Sequence, residues 1–223
     1  MGVNVWIKPI KFLISVGIYI LTLGYLITFY PFSSLKKKII RNIVAWTLLF
    51  ENIIIVIQGV RGVQSHYNVH TVLDSILFGM MGILIAINVV VMVFFVIETI
   101  RLKLTVSRPM QWAILSAWII TVFGSWIGGQ MIGQMAHNVG IADGGPGLPL
   151  VNWSTVAGDL RVAHFFGLHA IQLIPLLGLF IQKNAKWSDS SKTMIVLGFA
   201  SIYLIFIAAV FYQATMGKPF IGF

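Results

Sequence analysis

Six runs of about twenty mostly apolar residues, each nearly free of charge, constrain this chain more than any other feature. They lie at about Phe12–Tyr30, Ile39–Val60, Val72–Ile97, Gln111–His137, Val162–Gln182 and Thr193–Gln213. A run of about 20 apolar residues matches the ~30 Å hydrocarbon core of a bilayer when it is helical. A helix satisfies every backbone N–H and C=O within itself, which lipid requires. Charged residues make up only 9% of the sequence, against about 25% in a soluble domain. Such a chain cannot cover itself with polar surface. The expected fold is therefore all-α: one integral membrane domain over residues 1–223, a polytopic bundle of six transmembrane helices. A Gly/Pro-rich outer loop, with Gly140, Gly144, Gly145, Pro146, Gly147, Pro149 and Gly158, joins helices 4 and 5.

Lys8 and Lys11 precede the first run as in a signal peptide. The run is too long for a signal core, and no small-residue cleavage site follows at Tyr30–Pro31–Phe32, so it reads as a retained span. The formal net charge of +9 sits in short connecting segments rather than on a continuous basic face. That distribution is topogenic and excludes nucleic acid as the expected partner. Ten of the fifteen basic residues fall in three segments on one side: Lys36, Lys37, Lys38 and Arg41; Arg101, Lys103 and Arg108; Lys183, Lys186 and Lys192. The positive-inside rule places these in the cytoplasm and both termini on the non-cytoplasmic side of the cell membrane.

The chain has no cysteine. Disulfides, thiolate nucleophiles, iron–sulfur clusters and covalently attached haem are thereby excluded. Any metal must be held by His, Asp, Glu, Met or carbonyl oxygen.

Polar side chains inside a membrane span are costly and are functional candidates by default. Glu51 lies near the middle of the second span, and Thr47 and Gln58 share its helical face. In the fourth span Gln130, Gln134 and His137 recur at i, i+4 and i+7, beside the small-residue pairs Gly124/Gly128 and Gly129/Gly133, which permit close helix approach. The fifth span carries Arg161, His164, His169 and Gln172 in one broad sector, with Pro175 below them. Ahead of the third span, His66, His70 and Asp74 align at i, i+4 and i+8 if that segment is helical, a spacing suited to a metal. Asp143 and Asp159 are further available acids. Glu98 is expected to pair with Arg101 at the inner interface, and Asn88 to donate a hydrogen bond between helices. Met131 and Met135, near His137, read as gap-filling side chains. All five histidines (His66, His70, His137, His164, His169) map to the outer half of the chain.

Two stretches, RGVQSHYN from Arg61 and GGPGLPLVNWSTVAGDLRVAHFFGLHA from Gly144, together resemble a group of bacterial multi-pass membrane proteins of uncharacterised activity. The resemblance implies a bacterial cytoplasmic membrane and brings no catalytic residues.

The residues support three functional expectations. The favoured one is an outward-facing polar pocket between spans two, four and five that binds a redox cofactor or divalent metal. A b-type haem would sit between His137 and His164 or His169, with Arg161 on a propionate and Gly129, Gly133 and Gly167 making room for the macrocycle. His66, His70 and Asp74 would be the alternative metal ligands. Glu51, Gln58, Gln130, Gln134 and Gln172 would line the pocket. The second is cofactor-free binding or transport of a small solute or protons. The third is a metal-dependent membrane hydrolase, although the H-E-x-x-H and G-x-S-x-G motifs are missing. Whether the chain is an enzyme is left open. Its expected partners are the lipid bilayer and either a second copy or another membrane complex.

Overall fold

The computed structural model describes residues 4–184 and 186–222. It is 72% helical, and six of its helices are long and apolar enough to cross a membrane. They are α1 (Ile7–Leu26), α2 (Ser34–Val60), α3 (Val72–Arg101), α4 (Arg108–Gly133), α5 (Leu160–Gln182) and α6 (Asp189–Thr215). Two short strands, β1 (Asn138–Val139) and β2 (Gly158–Asp159), pair antiparallel between α4 and α5. The chain is an all-α, multi-pass membrane protein, as its hydropathy requires.

Helices α2, α5 and α6 start earlier than their apolar runs, for a local reason. Ser33 accepts a hydrogen bond from the Lys36 N–H, Asp159 from Arg161 and Ser188 from Ser191. Each cap satisfies an otherwise orphaned donor of the first turn. Each of these first turns carries a charged residue, so a hydropathy pattern sees only the uncharged stretch that follows.

The chain divides into two compact units, Met1–Phe94 and Phe95–Phe223, with the division inside α3. In the first unit, α1 ends in a 3-10 turn (Ile27–Phe29) ahead of Pro31, and α2 returns antiparallel to it. A Cβ added at Gly59 would stand 3.7 Å from the side chains of Val5 and Pro9, which sets the start of α1 beside the end of α2. Buried Ile54, Ile55 and Met81 form a core against which Phe12, Leu77 and Leu84 pack.

In the second unit α4, α5 and α6 pack on one another. The α4–α5 contact is antiparallel and closes on glycine. A Cβ at Gly167 would lie 2.5 Å from the Gly124 Cα, and one at Gly178 would lie 3.0 Å from the Ala113 Cβ. Of the two expected small-residue pairs, Gly124/Gly128 makes this contact. A Cβ at Gly129 or Gly133 would meet none of the described residues within 4 Å. One residue along a helix is about 100° of rotation, so adjacent pairs cannot serve the same neighbour. Gly167 was expected to open room for a macrocycle. Its backbone instead seals against Gly124.

The Gly/Pro-rich loop is ordered. Gly147 and Ser154 form an antiparallel bridge, the Leu148 N–H donates to the Trp153 carbonyl, and Leu150 and Asn152 adopt positive φ. The Trp153 ring lies against Phe165, Phe166 and Phe220. Gly158 sits so close to the Ala214 carbonyl that any side chain there would collide with it.

Candidate functional site

In the first unit, the segment between α2 and α3 is not helical. Residues 61–71 are turns and bends, with Gly62 at φ 69° and Tyr67 at φ 56°. The expected i, i+4, i+8 alignment of His66, His70 and Asp74 therefore does not form. Thr71 and Asp74 instead make a reciprocal cap: the Thr71 hydroxyl accepts from the Asp74 N–H (3.1 Å) and donates to Asp74 Oδ2 (2.7 Å). Asp74 Oδ1 accepts from Gln58 Nε2 at 3.1 Å and from Arg61 Nη1 at 2.6 Å, and Arg61 also donates to Gln58 Oε1. Gln58 and Asp74 thus lie in a buried structural ion-pair network. The His66 ring packs 5.4 Å from Phe12 and its Nδ1 meets Ser65 Oγ, while His70 is exposed.

Glu51 is buried, with 4% of its surface exposed. Asn88 donates to Thr47 Oγ1 (2.8 Å) and to the Leu84 carbonyl (2.9 Å), so the expected interhelical bond is made. Asn52, which sequence reasoning missed, donates to the Leu48 carbonyl.

In the second unit, α4 stops at Gly133. Gln134 caps it, and Met135 turns the chain at φ 55°. The expected Gln130–Gln134–His137 helical stripe is thereby broken. Asp143 causes the break: its carboxylate accepts from the N–H groups of His137 (3.0 Å) and Asn138 (2.9 Å) and meets His137 Nδ1 at 2.5 Å. Partial burial pushes the Asp143 carboxyl up. The His137 ring and the two backbone donors outweigh that and hold it well below the ordinary carboxylate range. The His137 carbonyl then accepts from the Leu160 N–H, which fixes the start of α5.

Arg161 is held by Asp159 and the loop backbone. It donates from Nε (2.9 Å) and Nη2 (2.6 Å) to Asp159 and also to the Asn152 carbonyl, while Asp159 accepts from the Ser154 N–H. His164 is wedged into the α4–α5 contact, where a Cβ at Gly128 would lie 2.8 Å from its Cε1. Its Nδ1 is 2.8 Å from the Gly124 carbonyl. A carbonyl only accepts, so Nδ1 donates here, and Nε2 is the ring nitrogen that this bond leaves uncommitted. His169 packs 4.3 Å from Phe165, with Nδ1 3.2 Å from Gln172 Oε1. Met131 is buried core and Met135 is exposed at the turn. Glu98 pairs with Arg101 through both carboxylate oxygens, at 2.8 and 2.9 Å. Among the described residues no three His, Asp or Glu side chains cluster as a metal site.

A recess of about 400 Å³ opens where α4 and α6 end. It is lined by Gln130, Gly133, Gln134, Val139, Leu160, Phe211 and Thr215. Gln130 and Gln134 are the two expected pocket residues that it brings together. The Gln134 amide donates to the Ala136 and Asn138 carbonyls, which leaves its oxygen as acceptor. Phe211 and Thr215 escaped sequence reasoning, because one aromatic and one hydroxyl at the end of an apolar run carry no signal of their own. Comparison with protein-family models, curated proteins and solved structures found no match.

Proposed function

We propose that this protein binds a small uncharged polar solute, without a cofactor, in the recess at the end of α4 and α6. The observation that carries the reading is the lining: two glutamine amides and a threonine hydroxyl above apolar walls, with no charged side chain among the described residues. A concave site with a few converging polar groups is the usual form of a solute site. The candidate charges of the second unit are occupied elsewhere, Arg161 by Asp159 and Asp143 by His137. In this reading the recess faces the non-cytoplasmic side of a bacterial cytoplasmic membrane and the basic loops face the cytoplasm. A panel of polyols, monosaccharides and primary amides, screened by thermal shift on protein in nanodiscs, should contain a stabilising solute. Its effect should vanish in Gln130→Leu and Thr215→Val. If no member of the panel stabilises the wild type, or if the shift survives both changes, the reading fails. A reporter fused after the C-terminus tests the orientation, and a cytoplasmic reporter overturns it.

A second reading, a haem or metal ligated by His164, is favoured by one contact. Its Nδ1 is committed to a backbone carbonyl, the usual way of presenting Nε2 to a metal. A visible absorption band that is lost in His164→Ala would support it. A colourless protein without stoichiometric metal would exclude it.

A further inference from the structure

Three buried side-chain oxygens in the first unit lack the partners their burial demands. Tyr19 Oη, Asn52 Oδ1 and Asn88 Oδ1 are buried with no hydrogen-bond partner among the described residues. Glu51, next to Asn52 in α2, is itself buried. Buried polar groups are normally satisfied, so several orphans in one small unit point to something that they hold.

Helix register sets these four side chains at a similar depth. Thr47 and Gln58 on α2 bond to Asn88 and Asp74 on α3, so their stripe, which includes Glu51, faces α3. The Asn88 amide reaches back to the Leu84 carbonyl, toward the level of Glu51. Asn52 lies seven residues before Gly59, whose face meets α1. Tyr19 lies seven residues after Phe12, which packs on the Ile54–Ile55–Met81 core. From the Gly59–Pro9 and Thr47–Asn88 contacts, all four groups fall within a band roughly 10 Å deep near the middle of their spans.

Their chemistry selects the occupant. Two amide oxygens and a carboxylate only accept, and the Tyr19 hydroxyl supplies one proton. Acceptors outnumber donors, so hydrogen bonding within the group cannot satisfy it. Hard monovalent cations take oxygen ligands of this kind, and a single carboxylate matches a single positive charge. We propose that Glu51, Tyr19, Asn52 and Asn88 form a dehydrated sodium-ion site in the core of the first unit. The Lys8 ammonium attracts the same carboxylate and competes with the bound ion.

Binding of radioactive sodium to the full chain in nanodiscs, with choline holding ionic strength constant, tests this. One saturable site per chain is expected, displaced by unlabelled sodium. Affinity should fall at least about tenfold in Glu51→Gln and several-fold in Tyr19→Phe, and rise several-fold in Lys8→Gln, as fixed-charge attraction dictates. Tyr19→Phe removes one oxygen without a change of shape and keeps the test decisive if Glu51→Gln does not fold. Folded wild type without saturable sodium binding, or binding unchanged in both Glu51→Gln and Tyr19→Phe, overturns the proposal. Failure of the solute screen would leave this outcome untouched, because the two sites share no residue.

Discussion

Gly124→Ala and Gly129→Ala place the same methyl group on the same helix five residues apart, and the structure assigns them opposite consequences. At Gly124 the new Cβ would stand 2.6 Å from the Gly167 carbonyl carbon and 2.7 Å from its Cα. Ordinary contact begins near 3.4 Å, so α4 and α5 must part by about 1 Å. The opposing atoms are backbone and cannot rotate away. Overpacking of this kind costs about 1–3 kcal/mol. At Gly129 the Cβ meets none of the described residues within 4 Å. Both changes gain the same helix propensity, up to about 1 kcal/mol, so it cancels in the difference. Gly124→Ala should therefore be less stable than Gly129→Ala by about 1–3 kcal/mol. Reversible unfolding in mixed dodecylmaltoside–SDS micelles, followed by circular dichroism, measures that difference. Adding Gly167→Ala to Gly124→Ala should cost less than Gly167→Ala alone, because the gap is already open. Equal stability of the two single variants, or a more stable Gly124→Ala, would refute the backbone contact.

The Asp143 latch should depend on pH. Its carboxyl is held below the ordinary value in the folded chain, so its contribution is complete above about pH 4 and lost as pH falls further. Hydrogen exchange at the His137 and Asn138 amides should accelerate in acid, and in Asp143→Asn the fast exchange should already be present at neutral pH. Asp159→Ala removes the α5 cap and leaves Arg161 without its carboxylate; a loss of roughly 3–5 kcal/mol is expected by denaturant titration, and a loss under 1 would deny the pair a structural role.

Membrane insertion, the number of spans and the ordered Gly/Pro loop were legible in the sequence, because lipid imposes a length and a polarity on any segment that crosses it. So were the Glu98–Arg101 pair, whose partners are neighbours on one helix, and the donor role of Asn88, though not Thr47 as its acceptor. The loop-end histidines were not legible. Reading them at helical spacing assumed helices through His66–Asp74 and through His137. Thr71 starts α3 only at Val72, and Asp143 draws the chain after Gln134 out of α4. Both decisions come from hydrogen bonds to carboxylates that a periodic pattern does not register.

The sequence by itself determined that the chain lives in lipid as six helices, since the free energy of exposing apolar side chains or unpaired backbone leaves no other solution. Only the tertiary structure decided which polar residues are spent on the fold and which remain open. Arg161, Gln58, Asp74 and His137 closed on partners across turns and helices, whereas Tyr19, Asn52 and Asn88 kept oxygens without a partner among the described residues. Hydrogen bonding is directional and short in range, so its outcome depends on which helix faces meet, and that is a property of packing.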